Sequence, residues 1–211
     1  PVQVAWSRQL GLLFGILIVL IFKGVTILQT EHVWLQVFRG CLAGTSALIF
    51  IFAISMVPIA DAVAVSFVAP FFVTILGALV LGEYVGVRRW TAIAIGFVAC
   101  LIIIRPGFSS FQPAVFLVVI AALAYACRQI LSRILSSSDR TITTVAYTGL
   151  TASFLLSAPL PFVWRTPVWG VEILLIVALA TLAAFAEIMV IKALELTQAV
   201  VLAPIHYTLL I

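Results

Sequence analysis

The chain is predicted to fold as an all-α membrane protein, a multi-span helical bundle of two inverted five-helix repeats truncated at both ends. Three observations predict it. Of the 211 residues, 65% are hydrophobic and 9% are charged, whereas about a quarter of the residues in an average soluble chain are charged. The apolar residues form continuous runs of the roughly 20 residues that a helix needs to cross the hydrocarbon. One segment also recurs 134 residues later, with the opposite membrane direction.

The runs fall near 9–28, 38–57, 60–81, 88–104, 113–135, 142–163, 171–194 and, in part, 198–211. They are separated in turn by QTEHVW, VPIAD, GEYVGVRR, RPGFSSFQP, SSSDR, WRTPVW and LELTQ, each a turn or interface signal by composition. A β-barrel would alternate apolar and polar residues at period two, and these runs do not. Seven complete helices and part of an eighth are therefore expected. Trp6, Trp34, Trp90, Trp164 and Trp169 fall at run ends, as interfacial anchors do.

Charge sets the orientation. Lys23, Arg39, Arg88, Arg89, Arg128, Arg133, Arg140 and Lys192 flank one side, and Arg8, Arg105 and Arg165 the other. This bias makes the loops at 29–37, 82–88, 136–141 and 195–198 cytoplasmic in a multi-pass protein of the cell (inner) membrane. Too few charges remain to coat a soluble surface, which excludes a soluble enzyme, a nucleic-acid binder and a secreted disulfide scaffold. Cys41, Cys100 and Cys127 sit in apolar stretches without metal spacing. No P-loop, dinucleotide fingerprint, nucleophile elbow or metal motif is present, so no cofactor, metal or catalytic residue is expected.

The repeat pairs DAVAVSFVAPFFVTIL from Asp61 with ELTQAVVLAPIHYTLL from Glu195. The acidic residue, Ala69-Pro70 with Ala203-Pro204, and Thr74 with Thr208 coincide. The offset equals five helices, and an odd number of spans inverts the second copy, as in secondary transporters. The same offset places a first helix before Pro1, and the end of a ninth helix and a tenth beyond Ile211.

On these residues the chain resembles the EamA-domain branch of the drug/metabolite transporter superfamily. The resemblance is carried by Arg39-Gly40, Pro58 to Ala64, Ser66 to Pro70, Leu81-Gly82-Glu83, Arg88-Arg89-Trp90 and Arg105-Pro106-Gly107. Lys192-Ala193-Leu194, Ala203-Pro204 and Tyr207 continue it in the second half. It implies a first EamA repeat over 1–107 (helices 2–5 of the intact fold) and a second over 112–211 (helices 6–8 and part of 9). It also implies a small-molecule transporter with a central cavity between the halves, working by alternating access.

Candidate site residues follow from polar groups at depth. Glu187 lies two-thirds along its run, where an ionised carboxylate costs about 2.5–3.5 kcal/mol. It reads as a proton- or cation-coupling group, or as a structural carboxyl bonded to a neighbouring helix. Tyr125, Arg128, Gln129 and Ser132 form a stripe at i, i+3, i+4 and i+7. Arg128 there is an anion anchor if it faces the bundle, but its place near the helix end fits snorkelling to the headgroups better. His206 and Tyr207 follow the Pro204 break, Pro70 supplies the matching break, and Ser66 and Thr74 offer hydroxyls nearby. Gly11/Gly15 and Gly40/Gly44 read as close helix packing within the bundle. Arg39, Glu83 and Arg88/Arg89 read as topology determinants.

The expected partners are a small-molecule substrate and membrane lipid, with proton or cation coupling as a candidate and no nucleic acid. The competing readings are an inactive truncated membrane scaffold and a multi-span membrane enzyme, for which no cluster of His, Asp or Arg at one interface is visible.

Overall fold

A computed structural model describes residues 1–104, 114–167 and 170–205. The described residues are helical and contain no strand. In chain order the helices are α1 (Val2–Lys23), α2 (Val33–Ala53), α3 (Ile59–Ser66), α4 (Ala69–Leu81) and α5 (Val87–Ile104). They continue with α6 (Ala114–Leu135), α7 (Thr141–Ser157), the short α8 (Leu160–Val163), α9 (Val171–Leu196) and the short α10 (Ala199–Leu202). A 3₁₀ turn, Val25–Leu28, follows α1. With α3 and α4 taken as one broken span, the described part holds seven long helical segments and the start of an eighth. Five are long and apolar enough to cross a membrane by length and composition: α1, α2, α3 with α4, α6 and α9. This is the all-α multi-span membrane fold that the apolar runs predict.

Two helix starts depart from the expected boundaries. The first begins at Val2 and the second at Val33, seven and five residues before the apolar runs. The reason is that Ser7, Gln9, Gln36 and Arg39 turn into the bundle and are buried there, with Gln36 Nε2 and Arg39 bonded to groups on other elements. Polar residues on a buried face do not end a helix.

Pro70 also acts differently from a simple kink. The break lies at Phe67–Val68, where Phe67 and Val68 donate to Ala64 and Val65 three residues back, and α4 restarts with Pro70 in its first turn. A proline is tolerated there because the first helical N–H groups have no partner to lose. The repeat mate Pro204 sits in a tight turn directly after α10.

The bundle is arranged around α2, α6 and α7. Helix α2 packs on α6 and α7, α1 packs on α7 and α9, and α4 packs on α6 and α10. Apolar burial cannot drive these contacts, because lipid tails are as apolar as the side chains; close packing between small residues does. A Cβ on Gly11 would strike the Ala180 carbonyl of α9, and one on Gly40 would overlap Thr151 of α7. Gly44 meets Ala152, and Gly149 meets Leu12, at ordinary contact distance or slightly closer. Gly15 faces open space. Large apolar side chains such as Phe14, Phe22, Leu79, Phe154, Leu174 and Leu182 are exposed, as lipid-facing positions should be.

The Gly40 contact carries a prediction. Gly40→Leu forces α2 off α7, at a cost of about 1–3 kcal/mol or more from overpacking. Size-exclusion profiles of the solubilised protein should show less folded material than Gly15→Leu, which should stay close to wild type.

Candidate functional site

Glu187 is buried in the bundle, but not as an isolated carboxyl. On α9 it faces Arg39 of α2 and Arg128 of α6; the three are 7%, 1% and 5% exposed. Arg39 Nη2 donates to Glu187 Oε1 at 3.2 Å, and Arg128 Nη1 donates to the same oxygen. Arg39 spends its other donors on hydroxyls, with Nε to Ser132 Oγ at 2.5 Å and Nη1 to Thr148 Oγ1. Those hydroxyls bond back to the carbonyls of Arg128 and Thr144 at 2.8 and 2.6 Å, which fixes their direction. Four helices thus meet at one cluster of charge.

The predicted stripe on α6 supplies part of this cluster. Arg128, Gln129 and Ser132 are buried. Gln129 Nε2 donates to the Tyr125 hydroxyl at 2.7 Å, and the Arg128 guanidinium lies over the Tyr125 ring, 4.8 Å from its centroid. A desolvated guanidinium gains about 2 kcal/mol from such a ring. Arg128 therefore does not snorkel. Its counter-charge on α9 outweighs the reach to the headgroups, because a charge left unpaired in hydrocarbon is costly.

Arg39 and Arg8 correct the charge-based reading more deeply. Both count as flanking charges in the sequence, yet each lies six residues inside a helix. Arg39 is an ion-pair partner of Glu187, and Arg8 is half-buried on α1, within electrostatic reach of Glu187, Arg128 and Tyr125. One sequence signal does point to Arg39: Gln36, Arg39, Gly40 and Ala43 share a helical face at i, i+3, i+4 and i+7, and all are buried. Lys23, by contrast, sits exposed in the last turn of α1.

The remaining candidates separate from the cluster. Ser66 Oγ donates to its own helix at Val63 O, 2.7 Å away. Thr74 is completely buried on α4, and its Oγ1 has no hydrogen-bond partner among the described residues. No bond among the described residues joins either to Glu187. His206 and Tyr207 lie outside the described residues, as do Arg105 and Trp169.

Polar contacts between helices also gather at one end of the bundle. The turn after α4 depends on Gly82 in the left-handed region (φ 63°), with the Glu83 N–H bonding to Gly77 O at 3.1 Å. That turn aims Glu83 at the start of α10. Its carboxylate accepts the N–H groups of Ala199 and Val200 at 3.3 and 3.0 Å and sits 3.7 Å from Arg133 Nε. Asp139 accepts Thr30 Oγ1 and Gln36 Nε2, both at 2.6 Å. Glu195 accepts Thr141 and Lys192. The loops 24–32, 82–86, 136–140 and 197–198 therefore share one end. Glu83 is more than a topology marker, since it ties the two halves of the sequence together.

The opposite end is looser. Gln3 bridges to the Arg165 backbone at 2.6 and 3.1 Å, and Trp6 donates to Ser157 at 2.9 Å. Beside these contacts lies a cavity of about 1030 Å³, bordered by Gln3, Ser7, Trp164, Glu172 and Ile176. The arrangement is a bundle with a polar latch at one end, a recess at the other and a charge cluster within.

Known proteins resemble this chain in sequence and in fold. Residues 1–105 match the EamA-like transporter family. An S-adenosylmethionine uptake transporter of Rickettsia prowazekii (strain Madrid E) is 24% identical over 206 residues, covering 97% of this chain and 69% of that protein. A riboflavin transporter of Vibrio cholerae serotype O1 is 31% identical over 182 residues, covering 85% of this chain and 61% of that one. A pseudopaline exporter of Pseudomonas aeruginosa is 23% identical over 188 residues, covering 85% and 64%. The chain spans about two thirds of the length of these relatives. One solved crystal structure matches the whole chain with a TM-score of 0.68 at 20% identity, over 79% of its own length, a likeness of fold. Family and relatives alike are transporters of small molecules rather than enzymes. With its apolar spans and buried polar interior, the chain is a multi-pass membrane protein that belongs to the EamA-like transporter family.

Proposed function

We propose that this chain is the larger part of a secondary transporter that moves a small metabolite by alternating access, with the Arg39–Glu187–Arg128 cluster as the polar centre of its substrate path. The cluster is the observation that carries the reading. Ionisable groups within a membrane bundle are expensive and mark substrate or ion pathways by default. Three of them, from three helices, sit where a purely structural bundle would use apolar packing.

Alternating access between inverted halves is supported by the offset of 134. It carries Val2–Lys23 onto 136–157 and Val33–Ala53 onto 167–187, which overlap α7 and α9. It therefore exchanges the α1–α9 packing with the α7–α2 packing, and both are present. The latched end and the recessed end support an arrangement closed towards the loops that carry most positive charge and open away from them. In this frame the cytoplasmic side is shut by Glu83, Asp139 and Glu195.

The named relatives import S-adenosylmethionine, transport riboflavin and export pseudopaline. Direction therefore does not carry over, but the size class of the cargo does. The test is uptake of a labelled panel, S-adenosylmethionine and riboflavin included, by proteoliposomes holding the intact protein that carries this chain. At least one metabolite should accumulate above protein-free vesicles and saturate. A panel that equilibrates at the protein-free rate throughout would count against transport.

A further inference from the structure

Around Glu187 the charges do not balance. Two guanidiniums, of Arg39 and Arg128, share one carboxylate oxygen, a formal excess of +1, and Arg8 on α1 adds a third positive charge within electrostatic reach of the same group. The sequence contains seven acidic residues, and the other six are placed elsewhere. Glu83 holds α10, Asp139 holds Thr30 and Gln36, and Glu195 holds Thr141 and Lys192. Asp61 and Glu172 stand in the first turns of α3 and α9, and Glu31 is exposed in the loop before α2. Arg8 makes no ion pair within 4 Å among the described residues.

An independent observation points to the same place. Arg128 Nε is buried and has no hydrogen-bond partner among the described residues. A buried donor without an acceptor is costly, and native structures retain one where water or a ligand supplies the acceptor. On this side chain Nη1 is committed to Glu187, whereas the buried Nε–H has no acceptor among the described residues.

We infer that the substrate completes this site with an oxyanion, a carboxylate or phosphate group received by Arg8 and Arg128 Nε beside the Tyr125 ring. Guanidinium donors match the planar geometry of these oxygens and bind them through charge-assisted hydrogen bonds. A neutral or cationic cargo would leave the excess charge standing in the membrane interior. Glu187 then serves as the fixed counter-ion that keeps Arg39 and Arg128 in place while the cargo comes and goes. The inference rests on the transport reading and names its substrate class, an anionic or zwitterionic metabolite.

Thermal melts of the purified intact protein test it without a known substrate. Sodium acetate and sodium phosphate are titrated at constant ionic strength against sodium chloride. A saturable rise in Tm of about 2–4 °C is expected with at least one of them, and the anion with the larger effect distinguishes carboxylate from phosphate cargo. Arg8→Gln should abolish the rise. Arg128→Lys, which keeps a charge for Glu187 but has no Nε, should raise the half-saturating concentration about tenfold. No rise with either anion in the wild type, or equal rises in wild type and both variants, would overturn the inference. Failure of the transport reading looks different: the rise would persist while proteoliposomes accumulated nothing.

Discussion

Glu187→Gln is expected to destabilise the folded protein by about 3–5 kcal/mol, the range for removing one partner of a buried ion pair. The loss exceeds that of an ordinary hydrogen bond because two guanidiniums share the carboxylate oxygen. Without it they repel each other across a site from which solvent is excluded. A second substitution should restore part of the stability: Glu187→Gln with Arg128→Gln removes one of the two stranded charges. Thermal unfolding of the single and double variants measures this, and the double variant should be the more stable of the two. A Glu187→Gln protein melting within about a degree of wild type would mean that the arginines find other counter-charges, and the cluster would lose its central place.

Glu83→Gln is expected to open the latched end. Glu83 accepts two backbone N–H groups at the start of α10 and faces Arg133. Hydrogen bonds to a charged group are each worth about 1.5–3 kcal/mol. Even 1.4 kcal/mol shifts a two-state equilibrium tenfold. Thr74 reports on the change, because it is fully buried on α4 one turn deeper than Gly77, which faces Val200 of the second half. With Cys41, Cys100 and Cys127 replaced, Thr74→Cys should react with a maleimide added to the latched side about tenfold faster when Glu83→Gln is present. Equal rates in the two backgrounds would show that Glu83 caps a helix without controlling access.

Much of the fold is legible in the sequence, because hydrocarbon imposes one rule on every span. Continuous apolar runs of about 20 residues can only be helices, and the seven long segments appear where the runs lie. The charge cluster is less legible, for a specific physical reason. The positive-inside rule assigns Arg and Lys near span ends to the headgroups, and Arg8 and Arg39 satisfy that count while lying a turn and a half inside their helices. What distinguishes them is a partner far away in sequence. Arg39 meets Glu187 across 148 residues, and Arg128 meets it across 59. The stripe on α6 was visible as a face, but its direction depended on that partner. Glu83 reads as a topology marker for a similar reason: its turn is readable from Gly82, while its target, the start of α10, lies 116 residues on.

A structural ion pair and a functional one differ in how much geometry they tolerate. Glu187→Asp keeps the charge and withdraws the carboxylate by one methylene from Arg39 and Arg128. A structural cluster absorbs that change through small shifts, whereas a site that holds cargo loses activity from misplacements of about 1 Å. The deciding measurement compares the melting temperature of Glu187→Asp with its uptake of a metabolite that wild-type proteoliposomes accumulate. The charge cluster as substrate path predicts a melting temperature within a few degrees of wild type and uptake reduced at least tenfold. Uptake that stays at the wild-type rate, or falls only as far as the folded fraction does, would contradict it.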